Sequence, residues 1–255
     1  MGLPLSDGTV GLLASGVVGQ TSFGGLLSNP WFYAIASAAA LWIGGAVGDW
    51  IKPDRRWQAG LLAVGGGALI VSMAFELYEP AIQSLGRRAA SGYFLIGVVV
   101  FGGLDVLVDR LSDDETEERG WGLWASVTTD GIPENLAMGS LLTGSVHGGL
   151  AILFALVMTN GSQSMMSATN MKEQRGTRQT IAAWFVTGFV VSGAVLLGYW
   201  VLPSVPNTWV EAIRSFAAGA ILASLAGEIY PDAYDEAGPV ITLMTAIGFL
   251  VTFLL

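Results

Sequence analysis

The residues most able to do chemistry sit where a charge is least expected. The run Thr128-Thr129-Asp130-Gly131-Ile132-Pro133-Glu134-Asn135 interrupts a long apolar stretch and carries two carboxylates four residues apart, hence on one face of a helix. Pro133 has no N–H, so the carbonyl of Thr129 loses its helical donor and is free to bind a cation or water. A second polar run, Thr159-Asn160-Gly161-Ser162-Gln163-Ser164, follows in the next apolar stretch. The short connection 144–147 makes the two stretches an antiparallel hairpin whose polar centres meet. Asp130, Glu134, Asn160, Gln163 and Thr159 then form an all-oxygen set suited to a divalent cation. An ionisable residue at membrane depth costs several kcal/mol on simple scales, and such residues usually face a cavity or pathway. The competing reading is a kinked helix whose polar groups only hold neighbouring helices together.

Other titratable residues carry less. Glu76 and Glu228 fall near helix ends, where each is as consistent with snorkelling or capping as with a transit site. Asp105 reads as interfacial, Asp113 to Glu118 as a solvated acidic loop, and the single His147 as exposed. One histidine and no cysteine exclude a histidine cluster, thiolate chemistry and disulfides. No paired serine and histidine suggests an intramembrane enzyme, so the chain is not expected to be one. The net charge of −9, without a basic patch, argues against nucleic-acid binding.

The elements that must position these residues are membrane helices. Of 255 residues 53% are hydrophobic and only 12% charged, about half the charged fraction usual in soluble domains. Apolar stretches recur at roughly 31–50, 57–79, 91–109, 121–143, 148–170, 180–201, 209–230 and 239–255, each long enough to cross about 30 Å of hydrocarbon. Asn29-Pro30 marks the first helix start, and tryptophans at 31, 50, 57, 121, 124, 200 and 209 fall near helix ends, as an interfacial belt would. Residues 1–30 read as a Gly/Ser-rich lead-in without a signal peptide, with room for a short interfacial segment in Val10 to Leu27; residues 31–255 form one domain.

Alternate loops hold Lys52, Arg55, Arg56, Arg110, Arg119, Lys172, Arg175 and Arg178 on one side, and Arg87, Arg88 and Arg214 on the other. Eight against three places both termini outside. Residues 66–81, GGALIVSMAFELYEPA, match residues 218–233, AGAILASLAGEIYPDA, in their small residues and their Glu-x-Tyr end. Helices 1–3 therefore pair with helices 6–8 as inverted repeats, giving an all-α integral membrane bundle of eight helices in a 3+2+3 arrangement.

Residues 31–255 resemble the ZIP metal transporters, also called the zinc/iron-regulated-like family. The resemblance is carried by Ile132-Pro133-Glu134-Asn135-Leu136-Ala137, similar to the family's His-Asn-x-Pro-Glu-Gly-Leu-Ala in helix four, by Phe216 to Ala233 and by Gly67 to Ala81. It implies a secondary transporter of a divalent metal (Zn/Fe/Mn class) in the cell membrane, with lipids and the metal as partners and no tightly bound cofactor. Dimers are common in that family, so a homodimer is an expectation. The departures are specific. Asp130 and Gly131 stand where the family has histidine and asparagine, Gln163 replaces a carboxylate, Ser162 a proline, and Val190 a helix-six glutamate. An oxygen-only site suits Mn²⁺, Mg²⁺ or Ca²⁺ better than Zn²⁺. The alternative is a transport-inactive or regulatory homologue with a structural polar centre.

Overall fold

The computed structural model describes residues 25–111 and 119–255, and these are helical throughout apart from short turns. Most of the lead-in, much of Val10 to Leu27 and the acidic segment 113–118 lie outside the described residues. The helices in chain order are α1 (Pro30–Trp50), α2 (Arg55–Leu85), α3 (Arg87–Leu111), α4 (Arg119–Leu141), α5 (Val146–Arg175), α6 (Thr177–Trp200), α7 (Asn207–Ser224, continued through Leu225–Ile229 and Tyr230–Ala237) and α8 (Ile241–Phe253).

Local chemistry explains where they begin and end. Asn29 accepts from the Trp31 amide at 3.0 Å ahead of Pro30, Asp54 accepts from Arg56 at 2.8 Å, and Ser145 accepts from Gly148 at 3.0 Å; each satisfies an amide the helix itself leaves bare. Single glycines with φ of 80°, Gly86 and Gly176, join α2 to α3 and α5 to α6. Both α2 and α7 widen into a π-helical turn, Ser72–Tyr78 and Leu225–Ile229, in matching parts of the repeated segment. These turns carry the helices past Pro80 and Pro231, so α2 and α7 run several residues beyond the sequence-based bounds.

Six stretches are long and apolar enough to cross a bilayer: Pro30–Trp50, Arg55–Leu85, Arg87–Val108, Val146–Glu173, Thr177–Ser204 and Asn207–Phe253, the last holding both α7 and α8. This is the organisation of a multi-pass membrane protein. Helix α4 is not among the six because its centre is polar. Leu95, Ile96, Val99, Val106 and Leu107 on α3 and Leu243, Leu250 and Val251 on α8 are exposed, an apolar exterior suited to lipid. Trp31, Trp50, Trp57, Trp200 and Trp209 are exposed at helix ends.

Two packed groups make up the bundle. In one, α1 lies against α5 and α6, and α4 against α5 and α6; in the other, α2 lies against α7 and α8, and α3 against α7. They meet where α2 packs on α5 and α4 on α7. Glycines permit the closest crossings. A Cβ on Gly67 would strike the Thr245 carbonyl of α8, and one on Gly219 the Phe94 carbonyl of α3. Backbones can come this close only where no side chain intervenes.

Candidate functional site

Four helices converge on a group of carboxylates. Asp105 from α3, Asp130 from α4 and Glu228 from the π-helical turn of α7 each present an oxygen, and these oxygens lie within 4.8 Å of one another. Asp130 is buried, and Asp105 and Glu228 are partly so. Three ionised carboxylates at that spacing repel by about 3 kcal/mol per pair at an effective dielectric near 20. A divalent cation among them would relieve that repulsion.

Neutral donors surround the group. The Ser224 hydroxyl donates to Asp130 Oδ2 at 2.6 Å, and Ser126 donates to Glu228 Oε2 at 2.7 Å. Ser126 also stands 3.4 Å from Asp105 Oδ1, but its one hydrogen serves the shorter contact. Gln163 Nε2 on α5 donates to Glu228 Oε1 at 3.0 Å. Ser126 lies four residues before Asp130 on α4, and Ser224 four before Glu228 on α7, so one helical face supplies both acid and donor on each.

The residues singled out from sequence separate into two sets. Asp130 and Gln163 belong to this assembly, with Gln163 reaching it through its amide nitrogen on Glu228. Glu134 is buried four residues beyond Asp130; among the described residues no hydrogen bond joins it to Asn160 or Gln163. Thr159 donates to the Ala155 carbonyl one turn earlier at 3.1 Å, and its methyl side packs on Gly65. Asn160 is buried with its amide nitrogen unpartnered. Asn135, next to Glu134, ties α4 to α1 by accepting from Ser37 at 2.6 Å, while its amide donates to the Gly131 carbonyl at 2.7 Å.

Asp105 and Glu228 are the members the sequence reading did not place here. Asp105, expected at the interface, is drawn into the bundle. Its position near the end of an apolar helix, an ordinary place for a charge, hid the role. Glu228 had a signal in the repeat with Glu76. Glu76 itself lies elsewhere, its carboxylate against Gly148 at the start of α5.

No protein-family model matches the chain, and no curated protein matches it.

Proposed function

We propose that the chain is a secondary carrier for a divalent cation, taken up among Asp105, Asp130 and Glu228, on a ZIP-like scaffold of eight membrane-crossing helices in a 3+2+3 arrangement. The observation that carries this reading is the convergence of three carboxylates from three helices inside an otherwise apolar bundle. The arrangement has its own support. The pairing of α1 with α5 is repeated by α6 with α4, and that of α2 with α8 by α7 with α3. Gly67 and Gly219, equivalent in the sequence repeat, make equivalent backbone contacts, and both repeats hold a π-helical turn around a glutamate. A twofold relation between helices 1–3 and 6–8, with α4 and α5 exchanging, accounts for all of these.

Carboxylate and amide oxygens favour hard divalent ions, and the repeats supply the symmetry that alternating access uses. We place the carrier in the cell membrane with both termini outside, acting by binding and release and not as an enzyme. Purified protein in liposomes, offered Zn²⁺, Fe²⁺, Mn²⁺, Co²⁺ and Mg²⁺ in turn, tests it. Uptake of at least one ion, lost in Asp130→Asn and Glu228→Gln, is expected; absence of uptake for every ion sinks the reading.

A second reading, a transport-inactive homologue, is favoured by one observation. Ser224, Ser126 and Gln163 already satisfy much of the carboxylate surface, as helix-to-helix glue would.

A further inference from the structure

The two halves of the repeat differ where the tyrosine of each Glu-x-Tyr end meets the following helix. Gly67 of α2 lies against Thr245 and Phe249 of α8, and Gly219 of α7 lies against Phe94 and Val98 of α3. These contacts put α8 in register with α3, so that Thr245 stands where Phe94 stands and Thr242 where Ser91 stands. In the first half Tyr78 packs on Phe94 with ring centroids 4.8 Å apart, and its hydroxyl lies 2.9 Å from Ser91 Oγ. At its counterpart Tyr230, Thr245 offers a methyl and a hydroxyl in place of a phenyl ring.

The space left there is a cleft of about 540 Å³ between the last turns of α7 and the start of α8, a size that accommodates small ligands. Tyr230, Pro231, Tyr234, Ile241, Thr242 and Thr245 wall it, and it reaches inward to Ala226. The walls are mostly apolar. Tyr234 and Thr242 are exposed, so the cleft opens on the outside of the bundle, beside the exposed Leu243, Ile247 and Leu250 of α8 that face hydrocarbon. Only Gly238–Val240 joins α7 to α8, so the cleft begins close to the bilayer surface. Ala226 lies two turns before Tyr234, about 12 Å deeper along the helix.

We propose that this cleft seats one acyl chain of a membrane phospholipid, entering between Tyr234 and Thr242 and lying along Tyr230 toward Ala226. A void facing hydrocarbon forfeits dispersion contacts for every atom of its walls, and a thin, flexible chain restores them. Water finds too few polar partners on such walls to fill the space. A helix from a second copy, about 10–12 Å across with its side chains, is too broad to enter between helices joined by so short a turn. The lipid chain thus does in this half what Phe94 does in the other. Through Ala226 it backs the π-helical turn Leu225–Ile229 that carries Glu228. The inference needs the bilayer alone and is independent of any ion.

The test places the full chain in phosphatidylcholine vesicles that hold a small fraction of phosphatidylcholine with a diazirine midway along one acyl chain. After irradiation and digestion, adducts are mapped by mass spectrometry. They are expected to concentrate between Ala226 and Thr245, above the level on the exposed Leu95 and Val99 of α3, where lipid exchanges freely. Thr245→Phe, which restores the ring of the other half, should bring the cleft adducts down to the α3 level and leave those on α3 unchanged. Thr242→Phe narrows the mouth from its exposed side, should lower the cleft adducts too, and serves if Thr245→Phe does not fold. Equal adducts on the cleft and on α3 in the unaltered protein overturn the proposal, as does a cleft signal that survives both substitutions. Oxidative dimerisation of Thr242→Cys, the lone thiol in a chain without cysteine, would put a second copy at the cleft and overturn it as well. Since no ion enters the readout, a failed uptake assay with this pattern intact sinks the carrier reading alone.

Discussion

Ser224 and Ser126 show how the bundle tolerates three acids in one place. Each hydroxyl is aimed at a carboxylate oxygen, and Gln163 adds an amide donor; none brings a positive charge. A cation arriving among Asp105, Asp130 and Glu228 would bring the positive charge that these three donors lack and should stabilise the fold. At a concentration a hundredfold above Kd the gain is about 2.7 kcal/mol. If the carboxylates bind a divalent cation as proposed, melting of the detergent-solubilised protein should rise on adding that ion, return to baseline with chelator, and lose the ion-dependent rise in Glu228→Gln. Asp130 was legible in the sequence because an acid amid apolar residues has few ordinary explanations. Asp105 was not, since a helix end is where charges normally sit, and only the lateral packing of α3 on α7 and α4 turns it inward. Gln163 was legible as a participant but not by its partner, because sequence distance does not say that α7 lies across from α5.

At the scale of helices, the contacts that set the geometry are made by what is missing. Gly97 and Gly219 let α3 and α7 touch backbone to backbone, while Gly92 on the same helix has open space around it. Gly219→Val should cost about 3 kcal/mol or more, because the obstructing atoms are main chain and cannot yield as a flexible side chain would. Gly92→Ala should leave stability unchanged or slightly improved through helix propensity. Thermal unfolding of the two variants followed by tryptophan fluorescence checks both. The all-helical, multi-span character was readable from runs of about twenty residues and their punctuation, where the structure gives six stretches long and apolar enough to cross a bilayer. Their ends were less so: α2 and α7 run past Pro80 and Pro231 through π-helical turns that hold Glu76 and Glu228, and no local pattern announces them.

The whole molecule has a polarity that its composition already carries. Basic residues fall eight to three on alternate connections, and the orientation proposed on that count puts both termini outside. An alkaline phosphatase fused after Leu255 should be active and a fluorescent protein in the same place dark; the reverse pair of results would invert the orientation. The repeat between residues 66–81 and 218–233 made the local likeness of α2 and α7 legible, since both hold a π-helical turn. The convergence of α3, α4, α5 and α7 on one point was not, since it depends on how the two groups lie against each other.

The single-glycine turns have a consequence for how the chain enters its bilayer. One residue separates α2 from α3, and one separates α5 from α6. Each pair is too tightly joined for its members to be handled separately once both have been synthesised. Each pair is therefore expected to enter the bilayer as a ready-made hairpin with Gly86 or Gly176 at the tip, and a peptide inserted at either tip should disturb the insertion of both helices it joins.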